Sequence, residues 1–133
     1  MPHRVLIVDD DPDSRSICTT FLRHFRYEVV EAWDGEEAVR LAADVRPDVI
    51  VMDITLPRLD GWEATRRIRA NPSTRGIPIV MLTARALAMD RDESHRAGCT
   101  VFLTKPCSPR ELQAELERLL GDRSPDGQGA GST

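Results

Sequence analysis

The sequence predicts an α/β fold with a five-stranded parallel sheet and helices on both faces. Three observations predict it. Five short runs are almost wholly apolar, which suits strands buried on both sides. Amphipathic stretches with helical start signals separate those runs. A chain of 133 residues is the size of one domain and can bury a core without disulfides or structural metal.

The elements follow in order. Val5-Leu6-Ile7-Val8 is the first apolar run and ends in acids. Asp11-Pro12 supplies an N-cap and a proline at the first helical position. Ile17, Phe21, Leu22 and Phe25 then recur at helical spacing and predict a core-facing stripe. Tyr27 to Ala32 reads as a second strand with more alternation. Asp34 with Glu37 has the form of a capping box, opening a helix through Ala38, Leu41 and Ala42. Val49-Ile50-Val51-Met52 is the third strand. Asp60 with Glu63 repeats the capping spacing before Ala64, Ile68 and Ala70. Ile79-Val80-Met81-Leu82 is the fourth strand, and a fourth helix is expected from about Arg85 to Arg96, stopped by Gly98. Val101-Phe102-Leu103 is the fifth strand. Ser108-Pro109-Arg110-Glu111 then opens a last helix carrying Leu112, Leu116, Leu119 and Leu120. Strict alternation of strand and helix implies right-handed crossovers and a parallel sheet. Residues 1–121 form the expected domain. Residues 122–133 lack apolar side chains to pack and read as a flexible tail.

Net charge is −4 and the pI about 5.4, which argues against a nucleic-acid surface. Three cysteines, Cys18, Cys99 and Cys107, match no disulfide or zinc spacing and read as reduced thiols. The apolar run after Met1 is too short for a signal peptide or membrane span. A soluble, cytoplasmic protein is expected.

The chemistry lies in the acids. Asp9, Asp10 and Asp11 follow the first strand, and Asp53 follows the third. Ligands of open α/β sheets bind beyond the carboxyl ends of strands, where the strand order reverses. If the first and third strands are neighbours there, Asp9, Asp10 and Asp53 converge. Converging carboxylates raise one another's pKa unless a cation intervenes, and an all-oxygen set favours Mg²⁺ or a similar ion such as Mn²⁺. Asp11, before Pro12, reads as a helix cap instead. No helix starts at Asp53, because Ile54-Thr55-Leu56-Pro57 reads as a loop. Thr83 and Lys105 follow the fourth and fifth strands and suit an anion with several oxygens. Metal-holding acids, a free carboxylate nucleophile, a hydroxyl and an amine together describe a phosphoryl-transfer site.

Val-Leu-Ile-Val-Asp9-Asp10-Asp11, Asp48 to Gly61 with Asp53 and Pro57 inside it, Pro78-Ile-Val-Met-Leu-Thr83-Ala84 and Lys105-Pro106 resemble the receiver domain of two-component response regulators. The resemblance covers about residues 4–120. It implies the strand order 2-1-3-4-5 of the flavodoxin-like receiver fold. It implies that Asp53 is the phosphoacceptor, becoming 4-aspartylphosphate. It also implies that Asp10, Asp9, Asp53 and the Thr55 carbonyl surround the metal. Lys105 is expected to pair with phosphoryl oxygens, aimed by a cis peptide bond between Lys105 and Pro106, and Thr83 and Ala84 to form the switch segment. Phe102 stands at the family's switch aromatic, with plain core packing as the alternative. Thr55 and Arg85 occupy the positions that tune dephosphorylation.

The resemblance implies a phosphorelay switch rather than an enzyme. The donor would be a histidine kinase or histidine phosphotransfer protein. Output would pass to a protein partner through the face of the fourth helix, fifth strand and fifth helix, with no direct nucleic-acid or membrane contact. Two alternatives share features of the site. A haloacid-dehalogenase-like phosphatase also uses an aspartate nucleophile with Mg²⁺, but places it after the first strand as Asp-x-Asp. A flavin-binding module of the same strand order needs a phosphate cradle where Asp9-Asp10-Asp11 stand.

Overall fold

The structure is a computed structural model, and it describes residues 2–53, 61–84, 98–105 and 107–121. Within these, the strands are β1 (Arg4–Val8), β2 (Glu28–Ala32), β3 (Val49–Asp53), β4 (Ile79–Ala84) and β5 (Val101–Lys105). The helices are α1 (Pro12–His24), α2 (Gly35–Val45), α3 (Gly61–Ala70) and α4 (Pro109–Gly121). The helix expected over 85–96, the cap at Asp60 and the tail 122–133 lie outside the described residues.

All strands pair in parallel, in the order β2-β1-β3-β4-β5. The alternation of side chains splits each central strand between two cores. Leu6, Val8, Ile50, Met52, Ile79 and Met81 pack with Ala38 and Ala42 of α2 and with Ala64 and Ile68 of α3. Val5, Ile7, Val49, Val51 and Val80 pack with Leu22 of α1 and with Leu112, Leu116 and Leu120 of α4. This two-sided burial is why Val5–Val8 of β1 and Val49–Met52 of β3 are apolar without a break.

Three of the start signals, at Asp11, Asp34 and Ser108, act as caps. Asp11 caps α1 by accepting from the Asp13 amide at 3.2 Å, and its second oxygen accepts from the Ser14 hydroxyl at 2.9 Å. Asp34 accepts from the Glu37 amide at 2.7 Å and opens α2. At α4 the capping box is reciprocal: the Ser108 amide donates to Glu111 at 2.8 Å, and the Glu111 amide donates to the Ser108 hydroxyl oxygen at 3.1 Å.

The stripe expected on α1 is corrected. Of its four residues only Leu22 is buried, while Ile17 is 60% and Phe25 46% exposed. Half-buried Phe21 meets Phe25 instead, with ring centroids 5.0 Å apart and the planes tilted by 44°. The helix instead turns Thr19 and Leu22 inward, with Cys18 beside them. On α3, Ala64 and Ile68 are buried and Ala70 is exposed. Position 70 falls two residues after Ile68 and so rotates away from the sheet.

Candidate functional site

Register brings the acids together. Val8 pairs with Met52 across β1 and β3, so Asp9 and Asp53 are the matching positions where the two strands end. Neighbouring strands lie about 4.8 Å apart, so two residues at this level are already close. The carboxylates of Asp9, Asp10 and Asp53 each place an oxygen within 4.8 Å of the others. Asp53 is buried at 6% exposure, Asp9 is 9% exposed and Asp10 faces solvent. Among the described residues this is the one place where three or more metal-type ligands meet, and every donor is a carboxylate oxygen. Such a set fits a hard divalent cation, because three close carboxylates repel one another without one.

Asp11 is next to this group and outside it, occupied by its cap on α1. Asp9 is shaped by the turn between. Its Oδ1 accepts from the Asp11 amide at 2.9 Å, and its own amide donates to the Ala32 carbonyl at 3.1 Å. The loop carrying the acids is therefore tied to both α1 and β2.

The remaining positions come from β4 and β5. Asp53 stands opposite Leu82, and Leu82 opposite Leu103. Thr83 and Thr104 lie one step further along the strands, and Ala84 and Lys105 two. Thr83, Ala84 and Lys105 thus occupy the same carboxyl edge of the sheet as Asp53. Their side chains, together with Thr55, Arg85 and Pro106, lie outside the described residues. Phe102 is half-buried and packs against the core that faces α2 and α3.

Two residues at the site have no weight in the sequence reading. Arg15, in the second turn of α1, donates from Nε to Glu31 at 2.8 Å and from Nη1 to the Asp9 carbonyl at 2.7 Å. The Arg15 guanidinium holds the Glu31 carboxyl below its ordinary pKa. A cation one helical turn past a run of three acids is the signal that could have marked Arg15. Glu31 carried no such mark, because its partner is sixteen residues away.

Comparison with known proteins agrees with this geometry. The family model described as the response regulator receiver domain matches residues 5–117. The response regulator MprA of Mycolicibacterium vanbaalenii is 41% identical over 133 residues, all of this chain and 56% of its own length. The regulatory protein PhoP of Bacillus subtilis, which controls alkaline phosphatase synthesis, is 37% identical over 120 residues, 90% of this chain and 49% of its own. The chain thus spans about half the length of the curated relatives it matches. Among solved structures, the receiver domain of a sensor histidine kinase from Pseudomonas aeruginosa superposes with a TM-score of 0.83 at 42% identity. The match covers 91% of this chain and 99% of that one. That structure holds a magnesium ion in its active-site cleft. The chemotaxis response regulator CheY4 of Vibrio cholerae superposes at 0.84 with 34% identity, covering 90% of this chain and all of that one.

The phosphatase alternative finds no support, since the nucleophile candidate ends β3 rather than following the first strand and the family matched is the response regulator receiver domain. Among the described residues no helix is long and apolar enough to cross a membrane. The chain belongs to the response regulator receiver domain family.

Proposed function

We propose that this domain receives a phosphoryl group on Asp53 from a histidine kinase or histidine phosphotransfer protein, with Mg²⁺ held by Asp9, Asp10 and Asp53. The observation that carries the reading is the meeting of those three carboxylates within 4.8 Å. A carboxylate oxygen of Asp53 attacks phosphorus, an O–P bond forms, and the bond from phosphorus to the donor's histidine nitrogen breaks. Mg²⁺, when bound, offsets the charge gathered by the carboxylates and the phosphoryl oxygens. Asp9 and Asp10 would hold that cation beside the nucleophile, with the Thr55 carbonyl as a further oxygen ligand.

The product carries about −1.5 to −2 charge and three acceptor oxygens. Lys105 pairs with those oxygens, and Thr83 with Ala84 moves toward them. Phe102 then repacks, and Thr55 and Arg85 set the rate of hydrolysis. The change favours one of two pre-existing states of the surface near β5 and α4, which a protein partner reads. The domain acts on itself and turns over no outside substrate. Several relatives are named as transcriptional regulators, and one as DNA-binding. A direct nucleic-acid contact is not part of the role proposed for this domain.

The test is labelling by acetyl phosphate with Mg²⁺. The wild-type chain is expected to gain one hydroxylamine-sensitive phosphoryl group, and chelation with EDTA to stop the reaction. Asp53→Asn is expected to gain none. Labelling of that variant at the wild-type rate would sink the assignment.

A further inference from the structure

Arg15 poses a physical question. Its guanidinium is bonded to the main chain of Asp9, one of the three clustered acids, and a cation beside such a cluster is a natural counter-ion that would compete with a metal. The structure gives it a different set of partners. Its Nε donates to Glu31 of β2 at 2.8 Å, and its Nη1 donates to the main-chain carbonyl of Asp9 at 2.7 Å. The Arg15 side chain is 15% exposed and Glu31 33%. The Arg15 main chain is fixed by the first helical bond of α1, its amide donating to the Asp11 carbonyl at 3.0 Å.

The consequence falls on Asp9. Its amide is bonded to the end of β2 through Ala32, and its carbonyl is bonded to β2 through Arg15 and Glu31. Both main-chain groups of one acid are therefore referred to the same edge strand. Glu31 stands opposite Ile7, two residues before Asp9. The strand is fixed to β1 by the sheet ladder, so it is a rigid reference.

We propose that Arg15 and Glu31 are a positioning pair for the acid cluster. Arg15 fixes the main chain that carries the Asp9 carboxylate, and Glu31 holds the guanidinium in that pose and away from the carboxylates. This rests on the reading of Asp9, Asp10 and Asp53 as the Mg²⁺ site. Neither residue touches the phosphoryl group, so neither is catalytic.

The pair is tested by titrating Mg²⁺ into the whole chain by calorimetry, followed by labelling from acetyl phosphate. Removal of an outer group that orients a metal ligand weakens metal affinity by about 10–100-fold. Arg15→Met is expected to weaken Mg²⁺ binding by about that factor, with the labelling rate restored at saturating Mg²⁺. A cation acting only through its charge predicts the reverse, tighter binding once it is removed, and that result would overturn the proposal. Arg15→Lys is expected to fall between the two. Glu31→Gln keeps shape and removes the anchor, so it too is expected to weaken Mg²⁺ binding. If Arg15→Met does not fold, an unchanged affinity in Glu31→Gln overturns the pair by itself. A loss of thermal stability with unchanged Mg²⁺ affinity overturns it as well. A wild-type chain that takes up no Mg²⁺ would instead fail the proposed function, and the pair with it.

Discussion

Arg69 shows how a single side chain can organise a loop far from the chemistry. Its guanidinium donates to the carbonyls of Gly98, Arg75 and Ile77 at 2.8, 2.8 and 2.7 Å, and to the Thr100 hydroxyl at 3.3 Å. The end of α3 is thereby fastened to the starts of β4 and β5. Gly98 answers this closeness, because a Cβ there would meet the Arg69 Cγ at 2.8 Å and its φ is +104°. Gly98→Ala is expected to cost at least about 1–2 kcal/mol, the left-handed penalty of an L-residue, as read by urea unfolding. The glycine is legible in the sequence as a helix stop. Arg69 is not, since it lies twenty-nine residues from Gly98. The same division holds at the site: Asp9, Asp10 and Asp53 are marked by strand ends, whereas Arg15 and Glu31 are defined by each other.

At the scale of elements, helix starts are legible because their bonds are local. Ser108 and Glu111 satisfy two amides that the first turn of α4 leaves without helical partners. Ser108→Ala is expected to lower stability by about 0.5–2 kcal/mol. The inward face of a helix is a different matter. On α1 the sequence offers Ile17, Phe21 and Phe25 on one line and Leu22 on another, and it is Leu22 that is fully buried while Ile17 and Phe25 are exposed and Phe21 is half-buried. The docking of α1 against β1, β2 and α4 chooses Leu22. Leu22→Ala is expected to cost about 2–5 kcal/mol, and Ile17→Ala to stay within about 0.5 kcal/mol of wild type. Equal losses in the two variants would contradict the burial seen here.

For the whole molecule, the acids link stability to metal and to pH. A cation bound by the folded state alone stabilises it by RT ln(1 + [L]/Kd), about 2.7 kcal/mol at a hundredfold excess over Kd. Mg²⁺ is therefore expected to raise the thermal midpoint and EDTA to return it, with the shift absent in Asp10→Asn. The Glu31 carboxyl lies below its ordinary value of 4.5, first because of its hydrogen bond from Arg15. A carboxyl with a lowered folded pKa contributes stability above its unfolded value and loses it as pH falls through the folded one. Wild-type stability is thus expected to fall below about pH 4.5 more steeply than that of Glu31→Gln, as followed by denaturant unfolding across that range. Glu31 is one-third exposed, so solvent screening keeps the effect modest.

The sequence by itself determined the parallel α/β architecture, because strands buried on both faces must be apolar throughout and helix caps are written within four residues. It also determined which acids stand at the ends of β1 and β3. The tertiary structure decided what those acids face. The register of Val8 with Met52 closes Asp9, Asp10 and Asp53 into one group, and the edge strand β2 supplies Ala32 and, through Arg15, Glu31 to hold the group in place. Those relations join residues far apart in the chain, and only packing brings them within bonding distance.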